Sequence, residues 1–204
     1  MIKVVLFDFG GVLTESGKRG FIAETVAGLY GISPESVDIA DLHGELRRGQ
    51  TDTKTFFTEL NRRYGNKKQV TEQMFLKKTH AAFTPSPPVY DLAERLRAHG
   101  IRTAILSNIF NMNALALRKG GWYDGFDPVV LSYDVGYAKP DPEIYDLTLR
   151  RLGVKPQEVL FIDDQEKCLP PAIKLGMHVI RADSPAQIVG DTEALIKKVN
   201  GITL

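Results

Sequence analysis

Hydrophobic and polar positions fall along the chain in blocks of two different periods. Val4, Val5, Leu6 and Phe7 form an unbroken apolar run closed by Asp8 and the pair Gly10-Gly11. That is the pattern of a short strand buried on both faces of a parallel sheet, with a sharp turn after it. Similar runs recur at residues 103–106, 128–131, 159–162 and 177–180. Between them the spacing becomes helical, over residues 89–100, 111–119 and 142–152, in a stretch reaching Leu175, and near 192–199. Alternation of this kind predicts parallel strands joined by crossover helices.

From Glu15 to Pro88 the pattern changes. Phe21, Ile22, Val26, Leu29 and Tyr30 recur at helical spacing and stop at Gly31, and Ser33-Pro34-Glu35 reads as the start of a second helix. Thr51 is placed to cap a third segment carrying Phe56, Phe57, Leu60 and Tyr64, and Thr71 a fourth carrying Met74, Phe75 and Phe83. No strand candidate interrupts them. Thr84-Pro85-Ser86-Pro87-Pro88 reads as a stiff extended connector. The expectation is an α/β core, residues 1–14 and 89–204, with an all-helical insertion over 15–88 after the first strand.

Composition narrows the partners. Acidic and basic residues nearly cancel over 204 residues, to a formal charge of +1, which argues against a nucleic-acid footprint or binding to an anionic membrane surface. No apolar run approaches membrane-spanning length, the apolar strand follows Met1-Ile2-Lys3 at once, and the one cysteine, Cys168, cannot form an intrachain disulfide. A cytoplasmic protein with a small soluble substrate is expected.

The residues that end the apolar runs carry the candidate chemistry. Asp8 ends the first, Ser107-Asn108 the second and Asp163-Asp164 a later one, while Lys139 precedes Pro140-Asp141-Pro142, where a helix opens under Asp141 as its cap. Parallel sheets place ligands at the carboxyl ends of their strands. Two adjacent carboxylates there are most simply stabilised by a hard divalent cation, provided the backbone bends between them. His43, Arg47 and Arg48 in the insertion could reach the far end of a substrate but read better as solvated helix positions, Cys168 reads as a core residue, and Trp122 as packing between core elements.

A strand-end Asp, a strand-end Ser, a Lys and a strand-end acid pair, in that order, resemble the four motifs of the haloacid dehalogenase (HAD) superfamily. The resemblance runs from Asp8 to about Asp164. It implies a Rossmann-like doubly wound parallel sheet with a helical cap over the active site. It also implies a Mg2+-dependent phosphatase acting on a small phosphorylated metabolite. In that scheme Asp8 is the nucleophile, Ser107, Asn108 and Lys139 hold the phosphoryl group, and Asp8, the Gly10 carbonyl, Asp163 and Asp164 hold the metal.

Two positions depart from the family pattern. Most of its phosphatases carry a second aspartate, the general acid and base, where this chain has Gly10, and Cys168 stands where relatives commonly have Asn or Asp. The Asp-Phe-Gly-Gly-Val-Leu form with a helical cap is similar to the α-D-glucose-1-phosphate phosphatase-like subgroup, which also lacks the second aspartate. Sugar 1-phosphates, whose leaving oxygen departs readily, fit that loss. Water, the cap or Glu15 remains as a source of the proton. Two other readings stay open. A 2-haloacid dehalogenase expels halide without a proton donor, but its relatives lack the acid pair; a non-catalytic binding module would not need the retained motif residues.

Overall fold

The computed structural model describes residues 1–15, 20–65 and 68–204. Five strands, β1 (Val4–Phe7), β2 (Arg102–Ser107), β3 (Val129–Leu131), β4 (Val159–Asp163) and β5 (His178–Arg181), form one parallel sheet in the order β3-β2-β1-β4-β5. The order reverses around β1, so its carboxyl end opens on the crevice where the chain switches direction across the sheet.

Both faces of the sheet are covered, which is why the strands read as unbroken apolar runs. Val5 and Phe7 pack into one cluster with α5 (Pro87–Ala98), α6 (Asn111–Lys119) and α10 (Pro185–Asn200). Val4 and Leu6 pack into a second, with α8 (Pro142–Leu152) and α9 (Leu169–Leu175). β4 repeats the division, with Leu160 and Ile162 on the first side and Val159 and Phe161 on the second. Among the described residues, no helix is long and apolar enough to cross a membrane.

Between β1 and α5 come α1 (Phe21–Tyr30), α2 (Ala40–Arg47), α3 (Thr53–Tyr64) and α4 (Glu72–Ala82). They share a third cluster built on Val26, Leu42, Leu46, Phe56, Leu60 and Phe75. Phe110 and Met112 of the core complete it. The chain leaves the core and returns to it side by side, with Glu15 N donating to Thr84 O and Ser86 N to Leu13 O.

Several local expectations are corrected. Asp52, not Thr51, caps α3, its carboxylate accepting from Thr55 N, whereas Thr71 does cap α4. Asp and Thr both serve as caps, and sequence alone does not choose between neighbours. Pro34–Ser36 forms only a 3-10 turn, and α2 starts later, at Ala40. Pro87 and Pro88 belong to α5 rather than to the connector, since a first helical turn has no use for the N–H that proline lacks. The last helix begins at Pro185, capped by Ser184, well before the expected start near Thr192. A short α7 (Ser132–Val135) was not foreseen.

Phe110 fastens the two parts. It is 4% exposed, and its ring centroid lies 5.2 Å from that of His43, 5.9 Å from Phe56 and 6.3 Å from Phe75. Phe110→Ala is expected to cost about 3–5 kcal/mol in denaturant unfolding; a loss below about 1 kcal/mol would show that this ring does not hold the insertion.

Candidate active site

Strand parity decides which side chains meet at the carboxyl edge of the sheet. Val4 and Leu6 of β1 point to the same helix layer as Val159 and Phe161 of β4, and the next positions in those two rows are Asp8 and Asp163. Phe7 is in register with Ile162, and the ladder continues with Asp8 N donating to Ile162 O at 2.8 Å. The two aspartates therefore stand side by side.

Lys139 enters between them from the loop before α8. It is 1% exposed, with Nζ 2.8 Å from Asp8 Oδ1 and 2.6 Å from Asp163 Oδ2, and it lies 5.5 Å from the centroid of the Phe161 ring. Asn108 continues the row of Ala104 and Leu106 on β2 and grips the Lys139 main chain. Its Nδ2 donates to Lys139 O and its Oδ1 accepts from Lys139 N, both at 2.8 Å. Asp163 Oδ1 accepts from Gln165 N at 2.8 Å, so each oxygen of that carboxylate has a partner.

Asp164 completes an acidic cluster. β4 ends at Asp163, the backbone turns, and one oxygen each of Asp8, Asp163 and Asp164 lie within 4.8 Å of one another. Asp164 Oδ1 is buried without a hydrogen-bond partner among the described residues. Gly11 makes the turn possible: its φ is +78°, and a Cβ there would sit 2.8 Å from the Asp164 carboxylate.

The charges do not balance. Burial pushes the Asp8 carboxyl up to about 7; Lys139 pulls it down, while Asp163 and Asp164 add to the rise. Burial likewise raises Asp164, with Asp163 adding to it. For Lys139 burial disfavours the ammonium, but Asp163 and Asp8 together outweigh it and hold the group above the ordinary lysine range. One lysine thus faces three carboxylates. An all-oxygen donor set with an unpartnered buried oxygen suits a hard divalent cation. Cys168 offers nothing comparable, being fully buried with burial pushing its thiol up to about 12.

A cavity of about 410 Å³ lies between core and insertion. Gly10, Ser107 and Asn108 border it from the core, and His43 and Arg47 from the insertion. The expectation that His43 and Arg47 are solvated is overturned. Leu42 and Leu46 of α2 turn into the insertion's own core, which carries the next residue in each case, His43 and Arg47, onto the cavity wall. Burial, Arg47 and Lys167 lower His43 to about 4, so its imidazole is neutral. Arg48 leaves the cavity for Asp141, with Nε 3.0 Å from Oδ2. Asp141 is not the side-chain cap expected for α8, because its Oδ2 accepts from Ala138 N instead. Glu15 is exposed and is not among the cavity residues. Trp122 packs against Phe9 and Phe83, as its setting predicts.

A parallel sheet thus carries at its carboxyl edge three clustered carboxylates, two of them bridged by a buried lysine. The model of the haloacid dehalogenase-like hydrolases matches residues 2–176, and the chain belongs to that family. It is 31% identical over 95% of its length to mouse acyl-CoA dehydrogenase family member 10, of which it spans only 19%. It is 29% identical to the glyceraldehyde 3-phosphate phosphatase of Methanopyrus kandleri, over 89% of this chain and 84% of that one. Among solved structures, a predicted HAD-like family hydrolase from Porphyromonas gingivalis superposes with a TM-score of 0.80, at 28% identity, over 96% of this chain and 98% of that one.

The raised Asp8 pKa gives a signed prediction. Between the ordinary aspartate range and about 7, the metal-free folded protein holds a proton at Asp8 that the unfolded chain does not. Stability from this group therefore falls as pH rises through that window. A cation needs ionised carboxylates, so its stabilisation grows over the same window. Added magnesium is expected to raise the melting temperature more at about pH 8 than at about pH 5.5; equal increments would contradict this.

Proposed function

We propose that this protein is a magnesium-dependent phosphatase of small phosphomonoesters, working through a phosphoryl group carried transiently on Asp8. The observation that carries the reading is Lys139 held between Asp8 and Asp163, beside the unpartnered Asp164 oxygen. A carboxylate attacking an anionic phosphoryl group needs positive charge around both. A carboxylate attacking an uncharged carbon needs no acid cluster, so the cluster favours phosphate over a haloacid.

Asp8 Oδ1 accepts from Lys139 and from Phe9 N, at 2.8 and 2.7 Å, which leaves Oδ2 available for phosphorus. Attack forms the aspartyl phosphate as the bond to the leaving oxygen breaks; water then attacks phosphorus and returns phosphate and the free carboxylate. Ser107, on the cavity wall, is assigned to a phosphoryl oxygen. Lys139 offsets charge on Asp8 and the phosphoryl group, and Asn108, its amide spent on the Lys139 main chain, acts by fixing that lysine. We assign the metal to Asp8, Asp164 and the Gly10 carbonyl, with Asp163, both of its oxygens occupied, supporting the site one step further out. When bound, the cation supplies charge to offset the phosphoryl oxygens. The helical insertion acts as a cap that closes the cavity and excludes water.

Gly10 provides no proton for the leaving oxygen, and a positioned acid–base group contributes roughly 10²–10⁴-fold in rate. Substrates with readily expelled oxygens, sugar 1-phosphates among them, suit such a site. The relative named for a sugar phosphate supports a phosphorylated metabolite as substrate.

Asp8→Asn is expected to abolish magnesium-dependent phosphate release from p-nitrophenyl phosphate while circular dichroism stays native; retained release would overturn the assignment. Gly10→Asp is expected to speed alkyl phosphates more than aryl phosphates, flattening the dependence of rate on leaving-group acidity along a series. A uniform effect along that series would remove position 10 from the account of proton transfer.

A further inference from the structure

The cavity wall includes an apolar, partly aromatic stretch and one arginine that makes no ion pair with a described acid. Phe9, Phe21, Phe83 and Phe110 line it, together with Ile22 and Ile39. An apolar body lodged against these side chains would leave no polar group of its own unpaired. Arg47 lies on the same wall, partly buried. Its Nε is buried with no hydrogen-bond partner, and no ion pair holds its guanidinium, among the described residues. Its neighbour Arg48 is already paired with Asp141.

The other charged groups on the wall sharpen this. His43 is on the same helix one turn earlier, and burial keeps it neutral, so it does not neutralise Arg47. Lys167 adds a second cation at the exposed margin. Asp38 is the acid on the wall; it is exposed, on the segment leading into α2, and its main chain is bound by Arg63 and Tyr64. Asp141 acts on Arg47 from a distance but is hydrogen-bonded to Arg48, and among the described residues no acid forms an ion pair with Arg47. A guanidinium withdrawn from water is costly unless it is paired, and its fork matches a carboxylate or phosphate.

We propose that the substrate, taken as a phosphomonoester in line with the function above, has an apolar, aromatic-sized body and a second anionic group that Arg47 recognises. Arg47 is thus a specificity residue, the aromatic wall takes the body, and the anion at the far end sets affinity. A phosphomonoester without a second anionic group fills the phosphoryl site but leaves Arg47 unpaired.

The test compares two aryl phosphates of nearly equal leaving-group acidity, phosphorylated para-propylphenol and phosphorylated para-hydroxyphenylpropanoate, which differ by the terminal carboxylate. The wild-type protein is expected to favour the carboxylate in kcat/KM by at least about tenfold, chiefly through KM. In Arg47→Met the preference collapses to about unity, and Arg47→Lys recovers part of it. No preference in the wild type overturns the proposal. Equal slowing of both esters by Arg47→Met also overturns it, since Arg47 would then address the transferred phosphoryl group. Calorimetric titration of the two phosphate-free phenols into the magnesium-loaded wild-type protein separates the two readings. Tighter binding of the carboxylate, lost in Arg47→Met, with neither ester turned over would retain the anion site and remove the phosphatase. Equal binding of the two phenols would remove the anion site whatever the turnover.

Discussion

The ion pairs that Lys139 makes with Asp8 and Asp163 are the constraint on which the site depends. An ammonium 1% exposed is stable only if its charge is matched at close range, and two carboxylates from adjacent strands match it at 2.8 and 2.6 Å. Much of the surrounding geometry keeps that contact in place. Asn108 fixes the lysine's main chain, Gln165 N fixes the far oxygen of Asp163, and Gly11 turns tightly enough to admit Asp164. The same contact leaves the site short of positive charge. With one lysine against three acids, the electrostatics favour a divalent cation, and an anionic group would be accommodated only once that charge is offset.

The insertion answers a different need. Asp8, Lys139 and Asp163 are buried in the core edge; in the proposed function they address the phosphoryl group and leave open what that group is attached to. The other wall of the cavity comes from the helical insertion, where α2 buries Leu42 and Leu46 and thereby presents His43 and Arg47 to the cavity. Phe110 reaches from the core into the insertion's hydrophobic cluster, and the Arg48–Asp141 pair ties α2 to the loop that carries Lys139. The insertion and the loop that carries Lys139 are thus joined by an ion pair.

Much of the core was legible in the sequence because strands buried on both faces leave unbroken apolar runs, and because a charged residue ending such a run stands out. Val4 to Phe7 followed by Asp8, and Val159 to Ile162 followed by Asp163-Asp164, are of that kind. What was not legible depends on packing between elements. Thr51 and Asp52 are equally good cap residues in sequence, and only the path of the chain selects Asp52. Gly190 and Asp191 broke the apparent period of the last helix, although Ser184-Pro185 marked its true start. Asn108 carried the signature of a substrate contact, yet its amide is committed to Lys139, a pairing set by strand parity across a loop 31 residues away. His43 and Arg47 looked like surface residues because the orientation of α2 is fixed by the third hydrophobic cluster, not by its own sequence.

The proposed function turns on covalent phosphorylation of Asp8. The direct measurement is an acid quench in the first turnover with a radiolabelled phosphoryl substrate and magnesium, followed by peptide mapping. The account predicts label on the peptide that contains Asp8, appearing before free phosphate and absent in Asp8→Asn. Steady release of phosphate with no label on the chain, or with label on another residue, would contradict it.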